Sequence, residues 1–348
     1  MARAPRDLAS VHGVSVGQAE HPDGRSGVTV VRFDSAAPTV VDVRGGASAT
    51  YDTASLALDA TFGRRWAIFF SGGSLFGLDA ARGVRTRILE TRGGHSAFRN
   101  PNRIAPISGA ALFDLPSTIG TLPEYSSLGY EAARRAGRGP VAQGRVGAGA
   151  GAMVGKYLGR RYAMRGGIGS AARRVPGGGT VGAIVAVNSV GAIRDPARAG
   201  WVAGARGREG RIVPPGGASG TDPRARGTTL TLVATDLPLD RPILARVASI
   251  VHAGLARAIV PYQTSSDGDA VFAVATGAVR RRFSEAWPGD LADRIGLLAA
   301  DSAVEAVLSA VRQANRRANR TAAGGTGSPS ARGSGRPSSR SRKGPHGA

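Results

Sequence analysis

Hydrophobic and polar positions divide the chain into short apolar runs and longer segments with helical spacing. Continuous apolar runs predict strands, most of them buried, over residues 65–73, 104–115, 179–191, 228–236 and 269–277. Two shorter apolar stretches, 27–33 and 38–45, predict strands joined by a turn, whereas the polar segment 1–27 predicts loops. Apolar residues at helical spacing predict helices over 74–90, 125–136, 240–259 and 289–319. This mixture predicts an α/β sandwich rather than a bundle or a barrel.

Composition narrows the function classes. The chain has 348 residues and no cysteine, which excludes disulfides, thiolate metal sites and a cysteine nucleophile. Its net charge of +22 first suggests nucleic-acid binding. Nine basic residues lie in the acid-free segment 312–348, so the rest of the chain carries +13. Because the remaining arginines are scattered and no aromatic residues interleave them, we do not expect specific nucleic-acid binding.

The apolar runs bear on the cellular location of the protein. None of them reaches the length of a membrane-spanning helix, and the N-terminal segment MARAPRDLASVHGVSVGQ has no apolar signal-peptide core. We therefore expect a cytoplasmic protein without membrane association. Residues 321–348 are rich in Gly, Ser, Pro and Arg, which predicts a disordered basic tail after a folded domain over 1–320.

The glycine-rich segment 144–161 does not match a phosphate-binding loop. Ala150 stands where that motif needs its first glycine, and Tyr157 replaces the required Ser or Thr. The segment contains Lys156, whereas the only other lysine of the chain, Lys343, lies in the tail. A lysine in this apolar setting needs either a partner or a lowered pKa.

Three other sequence features are consistent with either a structural role or a role in catalysis or substrate binding. Asn188 ends an apolar strand, where it is a turn residue or a donor to a developing oxyanion. Asp267 and Asp269 stand two residues apart before a strand, either as a tight Asp-Gly turn or as two carboxylates that orient a hydroxyl and an ammonium. The stretch FFSGGS includes Gly72, Gly73 and Ser74, which either pack closely or offer backbone N–H groups to a carbonyl in a substrate pocket.

The search for a catalytic nucleophile leads to one peptide bond at which the chain could be cut. The five histidines form no metal-ligand spacing, and no G-x-S-x-G elbow supports a serine triad. A threonine without a histidine partner can use its own α-amine as the base, but only if the chain is cut before it. The bond Gly227–Thr228 fits, because glycine leaves the carbonyl accessible and the Thr228 hydroxyl can attack it.

Eight segments in order resemble the self-processing β-aminopeptidase family, which includes L-aminopeptidase/D-esterases and nylon-oligomer (6-aminohexanoate) endo-hydrolases. The resemblance covers residues 10 to 312 and rests on VDVRGGASATYDT, FFSGGSLFGLDAARGV, PISGAALFDL, VGAGAGAMVGK, GGIGSAA, VGAIVAVNSVG, GTTLTLVATD and DGDAVFAVATG. It implies a four-layer αββα sandwich that resembles N-terminal-nucleophile hydrolases but has different connectivity. It also implies an inactive precursor that cuts itself before a Ser or Thr, which then becomes the nucleophile.

Carried over by position, the resemblance implies that Thr228 is the nucleophile. Asn188 would donate to the oxyanion, Lys156 would hold the hydroxyl or tune charge beside it, and Asp267 and Asp269 would be the acidic pair associated with the nucleophile. This chain departs from some members at Phe113, where they have a tyrosine hydroxyl in the substrate pocket. It also has Gly227 where nylon-type members have Asn, which affects processing.

The sequence therefore predicts an amide hydrolase, an aminopeptidase or amidase acting on short peptides or ω-amino amides. Its α chain would be residues 1–227 and its β chain residues 228–348, and the resemblance implies a tetramer of these processed heterodimers. No metal or organic cofactor is expected. Two alternatives stay open: an acyltransferase of the ornithine acetyltransferase type, and a non-enzymatic arginine-rich binding protein.

Overall fold

The computed structural model describes residues 6–92, 95–96, 103–115, 122–198, 200–216, 222, 224–279 and 288–323. Residues Met1–Asn315 form one compact unit, and the described part of the second unit, Arg316–Ala348, is the end of the last helix. In the described part of the chain, no helix combines the length and apolar character needed to cross a membrane.

A large sheet provides the frame of the molecule. Nine strands of the described chain form it: β1 (Val14–Glu20), β2 (Gly27–Val43), β3 (Ala49–Tyr51), β4 (Arg64–Ser71), β5 (Ile107–Ala111), β6 (Gly167–Arg174), β7 (Thr180–Asn188), β8 (Thr228–Thr235) and β9 (Ala270–Ala275). Their order is β6-β7-β8-β9-β2-β4-β5-β3, and β1 pairs with β2. Neighbours are antiparallel except β8 with β9 and β4 with β5, which are parallel.

Strand β2 corrects the prediction of two strands joined by a turn. It runs without interruption from Gly27 to Val43, and its register against β4 shifts between Arg32 and Ala37. Its first half pairs with β4 and its second half pairs with β9. The polar segment between the apolar stretches bends the strand, so that one chain segment passes from one half of the sheet into the other.

The two halves of the sheet face each other across an apolar core. Phe70 of β4 and Phe272 of β9 lie with their ring centroids 6.1 Å apart, within a cluster that joins both halves. The outer face of the first half packs on helices α1 (Ala80–Arg92) and α2 (Tyr125–Arg135). The outer face of the second half packs on α3 (Arg241–Ala258) and α4 (Pro288–Ala323). This arrangement confirms the four-layer αββα sandwich.

Helix α3 shows why the periodicity was informative. Its apolar stripe, which includes Leu244, Val247 and Val251, is buried against the sheet. Asp240 caps the N-terminus by accepting the N–H of Ile243 at 3.0 Å, and a proline stands in the first turn. Helix α1 begins later than predicted, because 3₁₀ turns occupy Ser74–Asp79.

Short strands appear where the sequence predicts loops. Strand β1 lies within the segment expected to be polar loop, and β6 was not predicted. The segment 200–227, rich in Gly, Arg and Pro, contains Gly200–Ala203 and a small ribbon of Ala205–Arg206 with Ile212–Val213. The remaining short ladders pair Ala192–Asp195 with Gly200–Ala203 and Ile259–Val260, His95–Ser96 with Arg103–Ile104, and Met153–Val154 with Met164–Arg165.

Candidate active site

Thr228 and Asn188 lie opposite each other at one end of the sheet. Thr228 is the first residue of β8, Asn188 is the last residue of β7, and the two are register partners. Leu230 and Ala186, two residues further along each strand, are part of the core between the sheets. Because side chains alternate along a strand, Thr228 and Asn188 are on that same face. Both are buried.

The backbone carbonyl of Gly227 is held from two directions. The Thr228 hydroxyl donates to it, and the N–H of Gly268 donates to it at 3.1 Å. The N–H of Gly227 in turn donates to the carbonyl of Ser266 at 3.0 Å. The carbonyl of the Gly227–Thr228 bond is therefore polarised by two donors, one of which is the Thr228 hydroxyl itself.

Gly227 has no room for a side chain. A Cβ at this position would lie 2.2 Å from Oδ1 of Asp267 and 2.4 Å from the backbone nitrogen of Val190. Such distances require the surrounding backbone to move. The glycine before Thr228 is therefore a packing requirement of this chain, in addition to leaving the carbonyl accessible.

Lys156 is the buried cation of the site. Its side chain is 5% exposed, and Nζ donates to the backbone carbonyl of Asn188 at 2.6 Å. Burial lowers its pKa from 10.5 to about 7, against the opposing charge of Asp267. The sequence required either a partner or a lowered pKa, and Lys156 has both. A fraction of the amine is therefore neutral near pH 7 and able to accept a proton.

The side-chain amide of Asn188 bridges two loops. Nδ2 donates to the backbone carbonyl of Phe113 at 2.9 Å, and Oδ1 accepts the N–H of Met153 at 3.0 Å. In the uncut chain the NH₂ group thus already has an acceptor. Because an amide NH₂ group carries two N–H donors, the second can donate to a substrate oxygen while the first stays on the Phe113 carbonyl.

Asp267 and Asp269 are both buried and both bind the backbone around Thr228. Oδ1 of Asp267 accepts the N–H of Val190 at 3.1 Å, and Oδ2 accepts the hydroxyl of Thr264 at 2.6 Å. Oδ1 of Asp269 accepts the N–H of Thr229 at 2.6 Å. Burial, with the nearby charge of Asp267, raises the pKa of Asp269 to about 7. The pair fixes the loops that hold the start of β8.

The Gly-Gly turn after β4 uses its N–H groups internally. Gly72 donates to the carbonyl of Gly27 at 2.9 Å, Gly73 donates to Oδ1 of Asp114 at 2.8 Å, and Ser74 donates to the carbonyl of Leu112 at 2.9 Å. Gly72 and Gly73 are buried behind the surface, whereas Ser74 contributes to a cleft wall. Burial raises the pKa of Asp114 to about 6.

A cleft of about 930 Å³ opens beside Lys156. Phe113 is 40% exposed in its wall, next to apolar residues of the turn after β4, Leu75 and Phe76. Four arginines and one acidic residue of the described chain also line it: Arg160, Arg161, Arg224, Arg226 and Asp222. The cleft thus combines an apolar wall, a basic rim and the buried lysine.

Three contributors escaped the sequence analysis. They are the N–H of Gly268, the carbonyl of Phe113 and the side chain of Arg160. The first two are backbone groups, for which a residue pattern carries no signal. Arg160 is one of many arginines and has no distinctive spacing. Among the described residues, no group of three or more His, Asp or Glu side chains could hold a metal ion.

Comparisons with known proteins match this chain over nearly its whole length. The family model "Peptidase family S58" matches residues 7–323. An uncharacterized aminopeptidase of Mycobacterium tuberculosis is 34% identical over 332 residues, covering 87% of this chain and 92% of the relative. A 6-aminohexanoate-oligomer endohydrolase of a Kocuria species is 32% identical over 277 residues, covering 77% and 74%.

A solved structure is similar in fold. The L-aminopeptidase D-Ala-esterase/amidase of Ochrobactrum anthropi, described as a variant among the Ntn hydrolase fold, superposes with a TM-score of 0.63. The match covers 89% of this chain and 87% of that one at 21% identity. Its fold agrees with the four-layer sandwich seen here.

Proposed function

This chain belongs to peptidase family S58 and is a hydrolase of the aminopeptidase or amidase type, and we propose that it cuts itself between Gly227 and Thr228. The cut gives an α chain of residues 1–227 and a β chain of residues 228–348. Thr228 then carries a free α-amine and is the nucleophile of the mature enzyme. Its substrates are short peptides or ω-amino amides, the latter named in the endohydrolase relative.

The observation that carries this proposal is the hydrogen bond from the Thr228 hydroxyl to the Gly227 carbonyl. It keeps the hydroxyl next to the carbonyl group of the bond to be cut, and the Gly268 N–H also donates to the carbonyl oxygen. Negative charge that develops on this oxygen is therefore stabilised without rearrangement. Proximity of the hydroxyl and the carbonyl group favours the intramolecular reaction.

Processing proceeds as an N→O acyl shift followed by hydrolysis. The Thr228 oxygen bonds to the Gly227 carbonyl carbon, its proton passes to neutral Lys156, and the carbon–nitrogen bond breaks. Lys156 returns the proton to the departing nitrogen, which becomes the α-amine of Thr228. Water then hydrolyses the ester, leaving a carboxylate on Gly227 and a free hydroxyl on Thr228.

The mature reaction reuses the same groups. The α-amine of Thr228, with an ordinary pKa of about 7.7–8.0, takes the hydroxyl proton as the hydroxyl attacks the substrate carbonyl. Asn188 and backbone N–H groups hold the oxyanion, the amine product leaves, and water releases the acyl group. Asp267 and Asp269 keep the start of β8 in position through their bonds to Val190 and Thr229.

Intact mass and N-terminal sequencing of the purified protein test the proposal, with Thr228→Ala and Thr228→Ser as matched variants. We expect two fragments for the wild type, the smaller beginning Thr-Thr-Leu-Thr, a single chain for Thr228→Ala, and two fragments for Thr228→Ser. A wild type that stays uncut after long incubation contradicts the proposal, and so does a Thr228→Ala variant that is still cut.

Activity is then measured on the processed protein. We expect release of amine from 6-aminohexanoate dimer or from short peptides with water as the only acyl acceptor. Turnover that requires an added amine would instead identify an acyltransferase.

A further inference from the structure

The charge of the cleft beside Lys156 is strongly one-sided. Asp222 is the one acidic residue among the described lining residues, and its Oδ1 already accepts from Nε of Arg224 at 3.3 Å. Asp267 and Asp269 lie outside the lining, and their oxygens accept the protein N–H and O–H groups described above. A substrate ammonium would therefore meet little negative charge here, whereas an anion would meet several cations.

Arg160 is the cation that the fold places most firmly. Its Nη1 donates to the backbone carbonyl of Leu115 at 2.7 Å, and its Nη2 donates to that of Asp114 at 3.1 Å. These bonds use two of the five N–H donors of a guanidinium group. The positive charge of Arg160 also contributes to the lowered pKa of Lys156, so the guanidinium lies within electrostatic reach of the proposed reaction centre.

Arg161, Arg224 and Arg226 extend the positive charge around the cleft, and all three are exposed, as is Arg160. The same cleft contains the apolar wall, in which Leu75 is 69% and Phe76 is 49% exposed. A large apolar surface open to solvent in a cleft is a contact surface for an apolar part of a ligand.

We propose that this cleft recognises a free carboxylate on the substrate, with Arg160 as its principal ligand. The substrate class is then a short amide whose carboxylate is separated from the scissile bond by an apolar segment lying along Leu75 and Phe76. A guanidinium held in place by two bonds to backbone carbonyls loses little freedom when it binds a planar carboxylate, which favours Arg160 over the other arginines of the cleft. This inference rests on the proposed function, because it assigns the substrate of that same site.

The kinetic test compares two substrates that differ only in charge: 6-aminohexanoate dimer and the same dimer with its terminal carboxylate converted to a carboxamide. The processed wild type, Arg160→Gln, Arg160→Lys and the control Arg257→Gln are measured. Arg257 lies on α3 and does not line this cleft. We expect the wild type and the control to prefer the acid at least tenfold in kcat/KM, mainly through KM, and to lose much of this preference in high salt.

We expect the acid-to-carboxamide ratio to fall to about one in Arg160→Gln and to an intermediate value in Arg160→Lys, which keeps the charge but loses the fork. Equal rates on both substrates in the wild type overturn the inference. An unchanged ratio in a folded Arg160→Gln variant also overturns it, and if that variant does not fold, Arg160→Lys and Arg161→Gln decide in the same way.

A binding test keeps this inference separate from the proposed function. Thr228→Ala is titrated by calorimetry with 6-aminohexanoic acid and with its amide, before and after Arg160→Gln. Arg160-dependent preference for the acid supports carboxylate recognition even if the wild type neither cuts itself nor hydrolyses the dimer. Equal binding of acid and amide overturns it, whatever the outcome of processing.

Discussion

Replacing Lys156 by methionine removes a buried ionisable group while keeping a long side chain. The comparison is made in the Thr228→Ala background, so that both proteins remain uncut. Lowering the lysine pKa from 10.5 to about 7 in the folded state costs about 5 kcal/mol of stability when the amine is charged. Losing the bond from Nζ leaves the buried carbonyl of Asn188 without this donor, which costs about 1–3 kcal/mol.

The two contributions have different pH dependence. Below pH 7 both the folded and the unfolded lysine are protonated, so the full penalty for burying the charge is present. Between the folded pKa of about 7 and the unfolded value of 10.5, the unfolded state binds more protons, and stability of the lysine protein rises by about 1.4 kcal/mol per pH unit. Above pH 10.5 the penalty is gone.

Urea unfolding of both proteins from pH 6 to pH 10.5 measures the difference in the free energy of unfolding. We expect the Lys156→Met protein to be more stable by about 2–4 kcal/mol at pH 6 and less stable by about 1–3 kcal/mol at pH 10.5, with the order reversing around pH 9. Other titrating groups are common to both proteins and cancel in the difference.

A stability difference that does not change with pH would refute the reasoning. It would mean that Lys156 keeps an ordinary pKa, and that its amine is too rarely neutral at pH 7 to take the Thr228 proton. A constant advantage for lysine at every pH would lead to the same conclusion.

Two further substitutions test the packing and the second buried charge. Phe272→Ala leaves a cavity in the core between the two halves of the sheet. We expect urea unfolding to show a free energy of unfolding lower by about 3–5 kcal/mol. A decrease below about 1 kcal/mol would mean that the two halves do not pack across this ring. Asp114→Asn removes a carboxylate whose pKa is raised from 3.8 to about 6. Burying the ionised carboxylate therefore destabilises the wild type increasingly as the pH rises from 3.8 to 6, and fully above pH 6. We expect the Asn variant to gain up to about 3 kcal/mol at pH 7.5 and little at pH 4, and equal effects at both pH values would contradict this.

Most of the central strands could be predicted from sequence, because a strand that is buried on both faces has a continuous apolar sequence. This holds for β4, β7, β8 and β9. Strand β1 could not be predicted, since it lies off the main strand order beside β2 and carries Ser, Gln and Glu among small apolar residues. The bend in β2 also escaped prediction, because a polar interruption has the same composition in a turn as in a continuous strand with a bulge.

The site shows the same division between composition and geometry. Lys156 stood out because lysine is rare in this chain and its surroundings are apolar, and its partner and lowered pKa followed. The hydrogen bond from the Gly268 N–H to the Gly227 carbonyl could not be predicted, because it involves backbone atoms alone. Residue chemistry pointed to Thr228 and left Asn188 open between a turn residue and an oxyanion donor, the family resemblance then assigned both roles, and the experiments above test them.

The order of the strands determines what a cut before Thr228 would produce. Strands β8 and β9 would belong to the β chain, yet they lie between β7 and β2, which would belong to the α chain, and pair with both. The two chains would share one sheet, so dilution could not separate them as it separates ordinary subunits. Once unfolded, they would diffuse apart and meet again only in a second-order reaction. Cleavage would therefore turn a reversible folding equilibrium into a form whose persistence depends on its rate of unfolding.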